Sequence, residues 1–72
     1  MNVFSPSRLR TALRASGMTQ AELARKMGVS KASLSRIIRG LRSPNSRFIA
    51  ALKLGFPELP MEYFFEAEDV KH

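Results

Sequence analysis

Cysteine is absent from the 72 residues, as is tryptophan, and the one histidine, His72, is the last residue. Without thiols the chain can form neither a disulfide nor a thiolate metal site, and a reducing cytoplasm is the expected compartment. Acid is almost as scarce over the first 57 residues, where Glu22 stands alone. A nucleophile with its base, a carboxylate pair or a metal cluster cannot be assembled from such a set, so no catalytic residue, metal or cofactor is expected and an enzyme is disfavoured. The acids Glu66, Glu68 and Asp69 read as a solvated tail. No run approaches the roughly 18 apolar residues that a membrane span needs, and Met1 to Ser7 lacks the basic start and apolar stretch of a secretory signal. Alternating strand patterns, internal repeats and low-complexity segments are also missing.

What is present is a small globular composition, 44% hydrophobic and 25% charged. This predicts one compact domain over residues 1–72 whose stability comes from helix packing, capping or a partner subunit. Charge is distributed unevenly. Residues 1–57 hold eleven Lys and Arg against Glu22, a balance of +10, whereas residues 58–72 hold five acids and Lys71, a balance of −4. Eight of the eleven basic residues are Arg, which suits phosphates and base edges because guanidinium bonds bidentately. A polyanionic partner explains this imbalance better than a merely solvated surface.

Helix boundaries are marked by a recurring capping pattern. Ser5 caps a first helix with Pro6 at its first position and Phe4 stapled to Leu9, and Gly17 ends it. Thr19 and Glu22 form a capping box for a second helix, which runs to about Met27 and stops at Gly28. Ser30 caps a third, whose apolar face of Leu34, Ile37 and Ile38 continues until Gly40. Asn45 caps a fourth, with Phe48, Ile49 and Leu52 at helical spacing before Gly55. Met61, Phe64 and Phe65, spaced i, i+3, i+4, predict a short fifth helix, after which residues 66–72 are expected to fray.

Residues 19–40 carry the function: two short capped helices joined by Gly28-Val29-Ser30. So short a turn forces a steep crossing that buries Leu23, Ala24 and Met27 against Leu34, Ile37 and Ile38. At 100° per residue, Ala32, Ser35, Arg36 and Arg39 then face away from the core, with Lys31 and Ser33 flanking. Small polar residues and arginines on an outward helix face are what a DNA major groove accepts.

The run from Met18 to Ser30, followed by Leu34-Ser35-Arg36-Ile37, Gly40 and Arg42-Ser43-Pro44, closely resembles the Cro and lambda-repressor-like (XRE) helix-turn-helix family, over about Ser7 to Leu54. The resemblance implies an all-α, compact five-helix lambda-repressor-like domain that binds double-stranded DNA sequence-specifically and regulates transcription, as a repressor. It further implies that Gln20 bonds a DNA phosphate and that Lys31, Ala32, Ser33 and Arg36 read bases. Ser30, Ser35, Arg39 and Arg42 are further candidates for phosphate contacts. Two departures stand out: the family usually has an acidic or polar residue where Ile38 and Arg39 stand, and the loop from Phe56 to Met61 is longer than the usual link.

One domain offers few base contacts, so a homodimer on a near-palindromic operator is expected. Residues 56–65 are its candidate interface, through Leu59, Tyr63 and Phe65. Two other binding functions fit a basic body less well. RNA modules usually bring an exposed aromatic platform or a Gly-rich clamp, and neither is visible. A DNA-binding antitoxin would add a protein partner, the toxin, on an exposed apolar patch.

Overall fold

The computed structural model describes residues 2–67. Strand β1 (Asn2–Phe4) leads into helices α1 (Pro6–Ser16), α2 (Gln20–Met27), α3 (Lys31–Ile38) and α4 (Ser46–Gly55), followed by a 3-10 helix (Met61–Phe64) and strand β2 (Phe65–Ala67). All four α-helices are capped by the residues their sequence marks. The Ser5 hydroxyl accepts from the Arg8 N–H at 3.2 Å, the Ser30 hydroxyl from Ser33 at 3.1 Å and the Asn45 side-chain carbonyl from Phe48 at 2.8 Å. At α2 the bonds are reciprocal: Glu22 N–H donates to the Thr19 hydroxyl at 3.1 Å, and Thr19 N–H donates to the Glu22 carboxylate at 2.8 Å. Each cap satisfies a backbone donor that the helix cannot satisfy itself.

Between α2 and α3 the backbone turns at Gly28, whose φ of 74° costs a residue with a β-carbon extra energy. Val29 N–H then reaches back to the Ala24 carbonyl at 3.0 Å, which fixes the turn at three residues. The core gathers Leu9 and Ala12 from α1, Leu23, Ala24 and Met27 from α2, Leu34, Ile37 and Ile38 from α3, and Phe48 and Leu52 from α4, closed by Phe56 and Phe64. Ile38, where the family usually carries an acidic or polar residue, is one of these buried side chains. The carbonyl of Ile38, at the end of α3, accepts a hydrogen bond from the Arg10 guanidinium on α1.

Gly55 is the last residue of α4 rather than a stop beyond it, and it is buried. A β-carbon there would lie 2.7 Å from Leu23 Cδ1 and 2.9 Å from Met27 Cγ, inside contact distance. The missing side chain is therefore what lets α4 lie closely on α2.

At the closing end of the domain the structure departs from the sequence-based expectation. In place of a fifth α-helix there is one 3-10 turn, and Phe65 belongs to β2, which pairs antiparallel with β1 in the register Asn2↔Ala67, Val3↔Glu66, Phe4↔Phe65. Three-residue strands carry no legible alternation, and their partners are far apart in the chain. Aromatic packing accompanies the pairing: the Phe4 ring, packed on the core that includes Leu9, lies edge-on to Phe65 at 6.0 Å and to Phe48 at 6.3 Å. Glu66, expected in the frayed end, is instead placed in β2. Its carboxylate accepts from the Ser5 hydroxyl at 2.6 Å and lies 3.4 Å from Arg8 Nε. Arg8 in turn donates to the Tyr63 carbonyl at 3.0 Å and sits 5.3 Å from the centre of the Tyr63 ring. The rest of the expected tail, residues 68–72 with Glu68, Asp69 and His72, lies outside the described residues. Among the described residues no helix is long and apolar enough to cross a membrane.

Candidate nucleic-acid interface

Helix α3 is amphipathic over its eight residues, and the core takes one side of it. With Leu34, Ile37 and Ile38 buried, Lys31, Ala32, Arg36 and Arg39 are exposed, while Ser33 and Ser35 are half-buried at the margins. The four positions expected to read bases thus sit on the N-terminal two turns of one helix, as the 100° period requires. Gln20 is half-buried at the first position of α2, next to the Thr19 cap. Ser30 is exposed; its hydroxyl accepts the Ser33 N–H and keeps its own hydrogen and one lone pair for a further partner.

The fold adds a neighbour that sequence spacing does not reveal. Arg42, in the link between α3 and α4, donates from Nη1 to the Ser33 hydroxyl at 3.3 Å. The two residues stand on the rim of an open cleft lined also by Ser30, Ser43, Asn45 and Arg47, where the α2–α3 turn faces the N-terminus of α4. The Asn45 cap was legible as the start of a helix. Its approach to the α2–α3 turn follows only once both helices have packed on α2.

Electrostatically the surface is one-sided. No acid occupies the first turn of α3, and Lys31 is its first residue. Glu22 is engaged at the start of α2, where the Thr19 backbone N–H holds its carboxyl below its ordinary range; slight burial opposes this, and the Thr19 hydroxyl and Arg25 add to it. Arg25, Lys26, Lys31, Arg36, Arg39, Arg42 and Arg47 all remain exposed. Such an array attracts a polyanion and can donate to phosphate oxygens or to base acceptors. Among the described residues, no three or more acidic, histidine or cysteine side chains gather as they would to hold a metal ion.

Leu59, Tyr63 and Phe65 are half-buried against the core. The large apolar side chains most open to solvent are instead Leu41 at 66%, Leu54 at 60% and Val3 at 43%.

Comparison with curated proteins and with solved structures gives no match. The family model described as helix-turn-helix matches residues 9–57, more than half of the chain, from the first buried residue of α1 to just past α4. The matched span contains both helices of the motif, the three-residue turn and the basic outward face of α3. The chain belongs to the helix-turn-helix family, as a DNA-binding domain of the Cro and lambda-repressor-like (XRE) kind.

Proposed function

We propose that this domain is a transcriptional repressor that binds a near-palindromic operator as a two-fold dimer, with α3 in the major groove. The outward face of α3 carries the reading: Lys31, Ala32, Ser33 and Arg36 project from a helix whose opposite side is fully committed to the core. Lys31 and Arg36 are long donors, and guanine presents paired acceptors at N7 and O6, so they specify at least one G·C pair per half-site. Ala32 offers only a methyl surface, suited to a thymine methyl. Gln20, Ser30, Ser35, Arg39 and Arg42 meet the phosphates on either side and set register rather than sequence. Half-sites lie about 10 base pairs apart, and the open edges of Leu59, Tyr63 and Phe65 form the contact between protomers.

Selection of bound sequences from random duplex DNA supplies the operator, and Arg36→Ala then tests the reading. The variant should fold normally, because the residue is exposed. It should bind the selected site about 1 to 3 kcal/mol more weakly and lose its preference at one base pair. Equal weakening on selected and random duplexes at one salt concentration would mean that Arg36 only attracts DNA. Sedimentation of the complex separates a dimer on two half-sites from a monomer on one.

A further inference from the structure

Ser33 and Arg42 are nine residues apart in sequence and belong to different parts of the domain, yet their side chains meet. The contact has a directional consequence. A serine hydroxyl has one hydrogen to donate and two lone pairs to accept with, and unaided it rotates to suit either kind of partner. Here Arg42 Nη1, which can only donate, engages one lone pair of the Ser33 oxygen at 3.3 Å. The backbone N–H of Ser33 is separately satisfied by the Ser30 hydroxyl, and among the described residues the Ser33 hydroxyl donates no hydrogen bond of its own. A guanidinium on the oxygen also polarises the O–H bond, which strengthens donation from it. The second lone pair lies beside a cation, where a further donor is disfavoured, so what Ser33 offers best to a partner outside the protein is its hydrogen.

We propose that Arg42 is a specificity-determining positioning residue, which biases the Ser33 hydroxyl toward donating and so favours a base acceptor that Arg42 itself does not touch. The inference rests on the reading above, in which α3 enters the major groove with Ser33 at a base edge. In that groove the acceptors are guanine N7 and O6, adenine N7 and thymine O4, whereas cytosine presents an amino donor. The base facing Ser33 is therefore guanine, adenine or thymine in preference to cytosine. Free serine would tolerate all four, and the arginine narrows that tolerance. Arg47, which lines the same cleft but makes no hydrogen bond to Ser33, has no such influence.

The test uses the full chain and its Ser33→Ala, Arg42→Ala, Arg47→Ala and Ser33→Ala/Arg42→Ala variants. Each is titrated, at one salt concentration, against the selected operator and a panel in which every base pair of a half-site is replaced in turn. Ser33→Ala should lower discrimination against cytosine at one position by roughly 3- to 10-fold, the range of one ordinary hydrogen bond. Arg42→Ala should lower it at the same position and weaken all duplexes as well. In the Ser33→Ala background, removing Arg42 should bring only the uniform loss. Arg47→Ala should bring a uniform loss in either background.

Three results overturn the inference. One is an Arg42→Ala variant that weakens every duplex by the same factor, which makes Arg42 a phosphate contact alone. Another is relaxation at different base pairs in the two single variants, which makes Arg42 a reader in its own right. The third is an unchanged preference in Ser33→Ala, which removes Ser33 from the base edge. In all three the wild-type chain still prefers its operator. A wild-type chain with no preference among the duplexes is a different result, and it overturns the operator reading on which the inference stands.

Discussion

Helices α2 and α3 are each eight residues long and each capped by a hydroxyl side chain, but their first turns carry opposite charge. Helix α2 places Glu22 beside its N-terminus and Arg25 and Lys26 in its last turn, so every charge favours the helix dipole. Helix α3 has Lys31 at its N-terminus and no acid nearby, which is unfavourable for the same dipole. The packing differs in the same sense. Helix α2 is clamped by α4 through Gly55, and α3 keeps one whole side open. One helix is arranged for stability and its neighbour for contact with a polyanion.

Reversing the charge at the start of α3 should break this contrast most strongly. Lys31→Glu is expected to lower operator affinity by about 2 to 3 kcal/mol, since it replaces a donor with a group that DNA repels. The same change should raise folding stability by about 0.3 to 1 kcal/mol through the helix dipole. Titration of the operator together with urea denaturation reads both quantities. A loss in both would mean that Lys31 supports the fold and that the contrast is misread.

A smaller effect is expected on the clamped side. Gly55→Ala crowds Leu23 and Met27, a cost only partly offset by alanine's better helix propensity, for a net loss of about 1 kcal/mol. Because the disturbance falls on α2 and α4, the base preference should be unchanged, and repeating the duplex selection with the variant checks this.

The smallest effect concerns acid. The carboxyl of Glu22 is held below its ordinary value of 4.5 in the folded chain. Its contribution to stability is therefore present above the unfolded value and is lost as the pH falls through the folded one. On lowering the pH from 7 through this region, the melting temperature of the wild type should fall more steeply than that of Glu22→Gln. Parallel curves would show that the capping box draws nothing from the charge.

Local chemistry was legible where the interacting groups are near in sequence. Ser5, Thr19, Ser30 and Asn45 each lie three residues before the N–H they accept from, so one short window shows both partners. The outward face of α3 was legible for the same reason, since helical period alone separates Leu34 and Ile37 from Lys31 and Arg36. Contacts that depend on how elements pack were not. Gly55 looks like any helix-ending glycine until Leu23 and Met27 are seen against it. Arg10 gives no sign that it will reach the end of α3, nor Arg42 that it will meet Ser33. Phe65 fits a helical spacing equally well, and only Phe4, at the other end of the chain, draws it into a strand.

That last pairing bears on the order in which the domain can assemble. Ser5 and Glu66, which close the ribbon, are 61 residues apart, whereas the helix caps and the α2–α3 turn join residues within a few positions of one another. The entropy lost in closing a loop grows with its length, and distant contacts become favourable only after nearer ones have shortened the path between them. The helical motif can therefore consolidate early, and the two-stranded ribbon zips last. In hydrogen exchange the amides of β1 and β2 should then open and close independently of the helix-turn-helix, fraying many times in each lifetime of the folded reading head.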